Sequence, residues 1–170
     1  KLAYAFLALG YGKGDKVITI TPNRPEWNFA DMGLVLAGMV HVPVYTTLSN
    51  DDYLHIFKHS DAKAVILGGD SFVKKLAPII AQVERQIDIF TIDPVEGYKS
   101  MSELYILGAE NEARYKPEID KNKAELDENE VATIIYTSGT TGAQKGVMLS
   151  HSNLVFNFIG TAVQQIRDSR

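Results

Sequence analysis

The chain predicts an α/β fold, a mainly parallel sheet flanked by helices. Two observations carry that expectation. Short apolar runs such as Lys16-Val17-Ile18-Thr19-Ile20 and Ala64-Val65-Ile66-Leu67 recur along the sequence, separated by segments of helix length that begin with capping residues. Strands alternating with helices in this way imply βαβ units and parallel pairing. The second is size: 170 residues with 45% hydrophobic content is one-domain material, able to bury roughly 70% of its extended surface.

Taken in order, Leu2 to Leu9 forms an apolar helix that ends at Gly10 and Gly12, and Lys16–Ile20 is the first strand. Pro22 to Glu26 supplies a turn and helix start for Trp27 through Met39, with Trp27 and Phe29 expected in the core. His41 to Tyr45 is a short strand whose Pro43 predicts an edge or end position, since proline cannot donate to the ladder. Asn50 or Asp51 caps a helix through His59, and Ala64–Leu67 is the next strand. Asp70 or Ser71 caps a helix to about Gln86, interrupted at Pro78, before the strand Ile87–Ile92. A helix follows around Ser102 to Ala113. The charge-dense, apolar-poor stretch from Lys116 to Glu130 then predicts a solvated surface connection. Val131–Ile135 and Val147–Leu149 read as strands, and Asn153 to about Asp168 as a final helix with Ser150 as its N-cap.

Composition excludes several classes of function. Net charge is −4 with the basic residues scattered, so no nucleic-acid footprint exists. There are no cysteines, hence no disulfides and no thiolate metal sites. No apolar stretch approaches the roughly eighteen residues of a membrane span, and a cytoplasmic setting is the default expectation. His41, His55 and His59 lack the company of a metal site. His55 and His59 share a helix face, but without the glutamate of an H-E-x-x-H arrangement. Ser150 and His151 are adjacent at a helix start, which does not aim the imidazole at the hydroxyl, so no hydrolase follows.

The chemistry concentrates in Tyr136-Thr137-Ser138-Gly139-Thr140-Thr141-Gly142-Ala143-Gln144-Lys145-Gly146-Val147, where three glycines, four Ser/Thr hydroxyls and one lysine share twelve residues. Glycines let consecutive N–H groups turn toward one anion, hydroxyls add short donors, and lysine adds a full charge. A Walker A loop would need lysine directly after the second glycine and a hydroxyl after it. Here Ala143 and Gln144 separate Gly142 from Lys145, and Gly146 follows. A dinucleotide fingerprint would open a helix, whereas this loop leads into a strand.

The order YTSGTTGAQKGV closely resembles the phosphate loop of the adenylate-forming (AMP-binding) superfamily, which includes acyl-CoA synthetases, aryl-CoA ligases, luciferases and peptide-synthetase adenylation domains. The resemblance extends to Met148-Leu149-Ser150-His151-Ser152-Asn153-Leu154 downstream and Val35 to Val44 upstream, covering about Gly14 to Asn157. Val42 to Ser49 and Tyr53 to Ser60 look most like long-chain fatty acyl-CoA synthetases. Ala143 stands where family members usually carry proline, a loss of about 0.4–1 kcal/mol of unfolded-chain restriction and of no phosphate donor.

The resemblance implies the N-terminal part of the large domain of an adenylate-forming enzyme, residues 1–170 being an incomplete AMP-binding domain. It would place Thr137, Ser138, Gly139, Thr140, Thr141, Gly142 and Lys145 around the ATP phosphates, with Thr141 the candidate metal contact. One charge pair at 4 Å is worth about 4 kcal/mol at an effective dielectric near 20, so a single lysine cannot balance a triphosphate and Mg2+ is implied. The implied reaction joins a carboxylic acid, a long-chain fatty acid by the subfamily resemblance, to ATP as an acyl-adenylate, and coenzyme A as co-substrate then displaces AMP. A peripheral membrane contact of the full protein is a further expectation.

No catalytic residue is assigned within this chain. The counterparts of the family's later motifs are absent, both ends look cut, and the piece alone is expected to be inactive, binding nucleotide in about the millimolar range. Two alternatives stand beside this: another adenylation branch, either a peptide-synthetase domain or an aryl-CoA ligase, and a noncatalytic nucleotide-binding module.

Overall fold

The chain alternates strand and helix as its apolar runs require. In a computed structural model that describes residues 1–138 and 143–168, the order is α1 (Leu2–Ala8), β1 (Lys16–Ile20), α2 (Pro25–Leu36), β2 (Val40–Pro43), α3 (Asn50–His59), β3 (Ala64–Leu67), α4 (Asp70–Ile80), β4 (Asp88–Thr91), β5 (Lys99–Ser100), α5 (Met101–Glu110), α6 (Glu112–Ala124), β6 (Val131–Thr137), β7 (Lys145–Ser150) and α7 (His151–Asp168). Among the described residues, seven strands form one sheet in the order β5-β4-β3-β1-β2-β6-β7. All neighbours are parallel except β6 and β7.

Strand alternation builds two cores. Ile18, Ile20, Val42, Val65 and Leu67 face one side and pack with Tyr53, Ile56 and Phe57 of α3 and Leu76 of α4. Val17, Ala64, Ile66 and Phe90 face the other and meet Phe6 of α1, Leu34 of α2, Leu104 of α5 and Ile119 of α6. β1 and β3 are thus apolar on both faces, as central parallel strands must be. On the second side Phe6, Tyr11 and Phe90 pack edge to face. Burial, and then a hydrogen bond to Asp88, pushes the Tyr11 phenol well above its ordinary range.

Several expectations are corrected. β2 lies between β1 and β6, so Pro43 marks a strand end and not a sheet edge. On the β1 side the ladder runs on past it, since the next residue, Val44, donates to the Thr19 carbonyl at 3.0 Å. Helix α4 passes through Pro78 and stops at Ile80, short of Gln86. Of the stretch from Lys116 to Glu130, the part up to Ala124 is most of α6, and only residues 125–130 form the exposed connection. Ile119 enters the core beside Tyr115 one turn before it, and Pro117 sits where the helix faces solvent. The helix expected over Ser102–Ala113 breaks at Asn111, and the two-residue strand β5 carried no periodic signal. Phe29 is 54% exposed, because the inward stripe of α2 runs through Ala30, Gly33 and Leu34. On α7, Phe156 and Phe158 are also exposed.

Close helix approach depends on Gly108. A Cβ there would overlap the Lys1 carbonyl oxygen and lie 2.8 Å from the Lys1 carbonyl carbon at the start of α1. Helix propensity favours alanine over glycine by about 1 kcal/mol, whereas overpacking costs about 1–3 kcal/mol. Gly108→Ala is therefore expected to lower stability in urea unfolding. An unchanged or raised midpoint would show that α1 moves aside freely.

Candidate functional site

A cleft of about 720 Å3 opens at the carboxyl edge of the sheet, walled by the segments after β1 and β2 and by Ile135 of β6. Its position follows from topology. The segment after β1 leads to α2 on one face of the sheet, and the segment after β2 leads to α3 on the other. Adjacent loops diverge there and leave a crevice, the usual ligand position in open parallel sheets.

The wall after β1 is held by ion pairs. Arg24 donates from both terminal nitrogens to Asp93, each at 3.0 Å, and from Nε to Glu26 at 2.9 Å. These bonds, Glu26 first, raise the guanidinium further above its ordinary value, and the Arg24 bond holds the Glu26 carboxyl below the usual range. Arg24 therefore fastens the start of α2 to the loop after β4. Trp27, half-buried, lies over the ring of His41 with centroids 5.0 Å apart. His41 is 1% exposed, with Nδ1 2.7 Å from Asp31 Oδ1 and Nε2 2.7 Å from Thr19 Oγ1. The Asp31 carboxylate can only accept, so Nδ1 carries a proton. A Thr-His-Asp array of this kind, with the hydroxyl buried inside a central strand, is a structural tie and meets no substrate.

The wall after β2 carries Tyr45, 70% exposed, whose carbonyl accepts from the Tyr53 phenol at 2.9 Å. Burial raises the Tyr53 phenol above its ordinary value.

Beside this cleft stands the glycine-rich segment. β6 runs parallel to β2 and ends at Thr137 on the same carboxyl edge, and β7 returns antiparallel with Lys145 registered opposite Thr137 and Gly146 opposite Tyr136. Thr137 lies two residues beyond the cleft-lining Ile135 and so on the same strand face. The structure brings together Thr137, Ser138 and Lys145, all exposed. Gly139, Thr140, Thr141 and Gly142 lie outside the described residues. Ser150 caps α7: its Oγ accepts from the Asn153 N–H at 3.3 Å, and the Asn153 side chain accepts from the Ser150 N–H at 3.0 Å.

Two contacts of this hairpin were not anticipated. His59 Nδ1 is 2.8 Å from the Tyr136 hydroxyl, and His55 Nε2 donates to the Gln144 carbonyl at 2.9 Å. The one-turn spacing of the two histidines was visible in the sequence, but their partner strand was not. Burial raises the Tyr136 phenol above its ordinary value, so it bonds as the neutral hydroxyl.

The family described as AMP-binding enzyme matches residues 1–169. The chain belongs to that family. A long-chain-fatty-acid–CoA ligase of Mycobacterium tuberculosis, FadD15, is 31% identical over 158 residues, which is 93% of this chain and 26% of the relative. This AMP-binding chain thus spans about a quarter of the length of the curated relatives it matches. Among solved structures, the long-chain-fatty-acid-CoA ligase FadD1 of Archaeoglobus fulgidus superposes with a TM-score of 0.76 at 23% identity, over 95% of this chain and 30% of that one. ATP-bound MatB from Rhodopseudomonas palustris gives 0.66 at 28% identity, over 92% and 28%. The mostly parallel sheet flanked by helices is the fold of these ligases. Among the described residues, no helix is long and apolar enough to cross a membrane.

In the AMP-binding chain, the hairpin's closure rests on Gly146. A Cβ there would lie 2.9 Å from Ile134 Cγ2 and 3.3 Å from the Tyr136 ring, whereas one on Gly160 of α7 would meet nothing within 4 Å. Gly146→Ala is expected to destabilise by about 1–3 kcal/mol and Gly160→Ala to stabilise by up to about 1 kcal/mol. Parallel urea titrations measure both, and equal effects would remove the close-approach explanation.

Proposed function

We propose that residues 1–170 are the N-terminal part of an AMP-binding domain that activates a carboxylic acid with ATP and passes the acyl group to coenzyme A. The observation that carries this is the hairpin at the carboxyl edge, which sets Lys145 across from Thr137 beside the cleft. In the first step a carboxylate oxygen attacks the α-phosphorus of ATP, the bond to the bridging oxygen breaks, and pyrophosphate leaves with the electron pair. In the second the coenzyme A thiolate attacks the acyl carbonyl and AMP leaves. The residues of this chain supply no nucleophile. They hold the leaving group, whose β- and γ-phosphate oxygens gain charge as the bond breaks.

Lys145 would supply the cation, and Thr137 and Ser138 hydroxyl donors, with Gly139, Thr140, Thr141 and Gly142 between them. Mg2+ suits this position, because Thr137 and Ser138 are exposed neutral oxygen groups beside the single charge of Lys145. Such a site leaves the ion to phosphate and water oxygens, the coordination magnesium favours. When bound, Mg2+ offsets the negative charge of the pyrophosphate. Thr141 is the proposed protein contact. A long-chain fatty acid is the proposed acid, supported by the names of relatives such as the FadD15 ligase. Peripheral membrane contact and a cytoplasmic setting belong to the same proposal.

The test is carboxylate-dependent ATP–pyrophosphate exchange by the full-length protein across fatty, aryl and amino acids, with the 170-residue chain alongside. Long-chain fatty acids are expected to support exchange in the former, and the chain by itself to give none. Lys145→Ala is expected to lower kcat/KM for ATP about 10- to 100-fold, the range for losing a charged hydrogen bond. Exchange with aryl or amino acids alone would reassign the acid. No exchange with any acid would leave a noncatalytic nucleotide-binding module.

A further inference from the structure

We infer that His55 and His59 are positioning residues that brace the two flanks of the phosphate hairpin from α3, so that Lys145 and Thr137 meet the β- and γ-phosphates in a fixed geometry. This rests on the phosphate-binding role proposed above and adds the device that orients it. The two imidazoles stand one helical turn apart and stack, with centroids 5.3 Å apart and planes 21° from parallel. Each reaches a different side of the loop. His59 contacts the Tyr136 hydroxyl just before it, and its ring meets the Tyr136 ring edge to face at 5.8 Å. His55 donates to the carbonyl of Gln144, the residue directly before Lys145.

The bond from His55 fixes the peptide that leads into Lys145. A carbonyl accepts only, so Nε2 of His55 carries a proton. On the other flank Tyr136 is enclosed, with Gly146 of the opposing strand against one side of its ring and His59 against its hydroxyl. The two contacts span 89 and 77 residues of sequence. They tie the hairpin to α3, an element that otherwise belongs to the β2-to-β3 crossover. Neither histidine is among the residues that line the cleft, and their contacts are to Tyr136 and Gln144, so both act through the strands of the hairpin and its flank.

The test compares MgATP and AMP binding by calorimetry on the full-length protein. AMP lacks the phosphates that the hairpin is proposed to hold. A positioning role therefore changes MgATP affinity alone, whereas a general structural role moves both ligands together. His55→Leu and His59→Leu are each expected to weaken MgATP about 3- to 10-fold, the range for one lost hydrogen bond, and to leave AMP unchanged. His55→Gln places an amide donor near the lost Nε2, and His59→Asn places one near Nδ1, so both are expected to restore most of the affinity. Lys145→Ala separates the brace from the phosphate-binding role. If it weakens MgATP while the leucine variants do not, the brace is overturned and the phosphate loop stands. If none of the three changes MgATP affinity, the phosphate-binding role itself falls. Equal weakening of MgATP and AMP in the leucine variants, or no recovery in the amide variants, also overturns the brace.

Discussion

The hairpin that carries the glycine-rich loop joins the parallel sheet at a narrow seam, where β2 pairs with β6 at His41 and Thr133. Around that pair the side chains do what a longer ladder would otherwise do. Thr133 Oγ1 donates to the His41 carbonyl at 2.9 Å, while the His41 ring is tied to Thr19 of β1 and Asp31 of α2. Three strands and one helix therefore meet at a single buried residue, His41. With both ring nitrogens and the backbone carbonyl satisfied, burial carries little penalty. Loss of any one partner would leave an unpaired polar group in the low-dielectric interior, where such groups cost most.

The seam sets the geometry of the site above it. Because β6 is parallel to β2, its carboxyl end arrives where the segments after β1 and β2 part, and Ile135 becomes a wall of the cleft. Because β7 is antiparallel, the chain turns back immediately and Lys145 returns opposite Thr137. A parallel successor would have required a long crossover and carried the lysine away from this edge. The antiparallel edge strand of an otherwise parallel sheet is thus what keeps Lys145 at this edge.

Much of this was legible in the sequence, and the failures have physical causes. β1, β3 and the helix start at Ser150 announced themselves through continuous apolar runs and a capping side chain, both local signals, whereas α3 is capped by Ser49 and not by the expected Asn50 or Asp51. The order of residues in the glycine-rich segment pointed to the AMP-binding family, which the family match over residues 1–169 bears out. α6 was misjudged because its charged surface hides the contribution of Ile119, one residue whose burial depends on where α1 lies. Phe29 was placed inside on hydrophobicity alone, although the small residues Ala30 and Gly33 are what let α2 approach the sheet and α1. His55 and His59 had no visible partner because theirs, Gln144 and Tyr136, lie 89 and 77 residues later.

Charge and shape are divided between the two parts of the site. Arg24 stands on the cleft wall, yet its guanidinium donors are taken by Asp93 and Glu26, so it holds the wall closed and does not make the cleft an anion site. The remaining walls offer aromatic and neutral groups, Trp27 and Tyr45 among them. Lys145 brings its charge in at the hairpin, opposite Thr137. A ligand spanning both would therefore set its most anionic part at the hairpin and a less charged part in the cleft. Its orientation would follow from the strand order, because only the carboxyl ends of β1, β2 and β6 converge there.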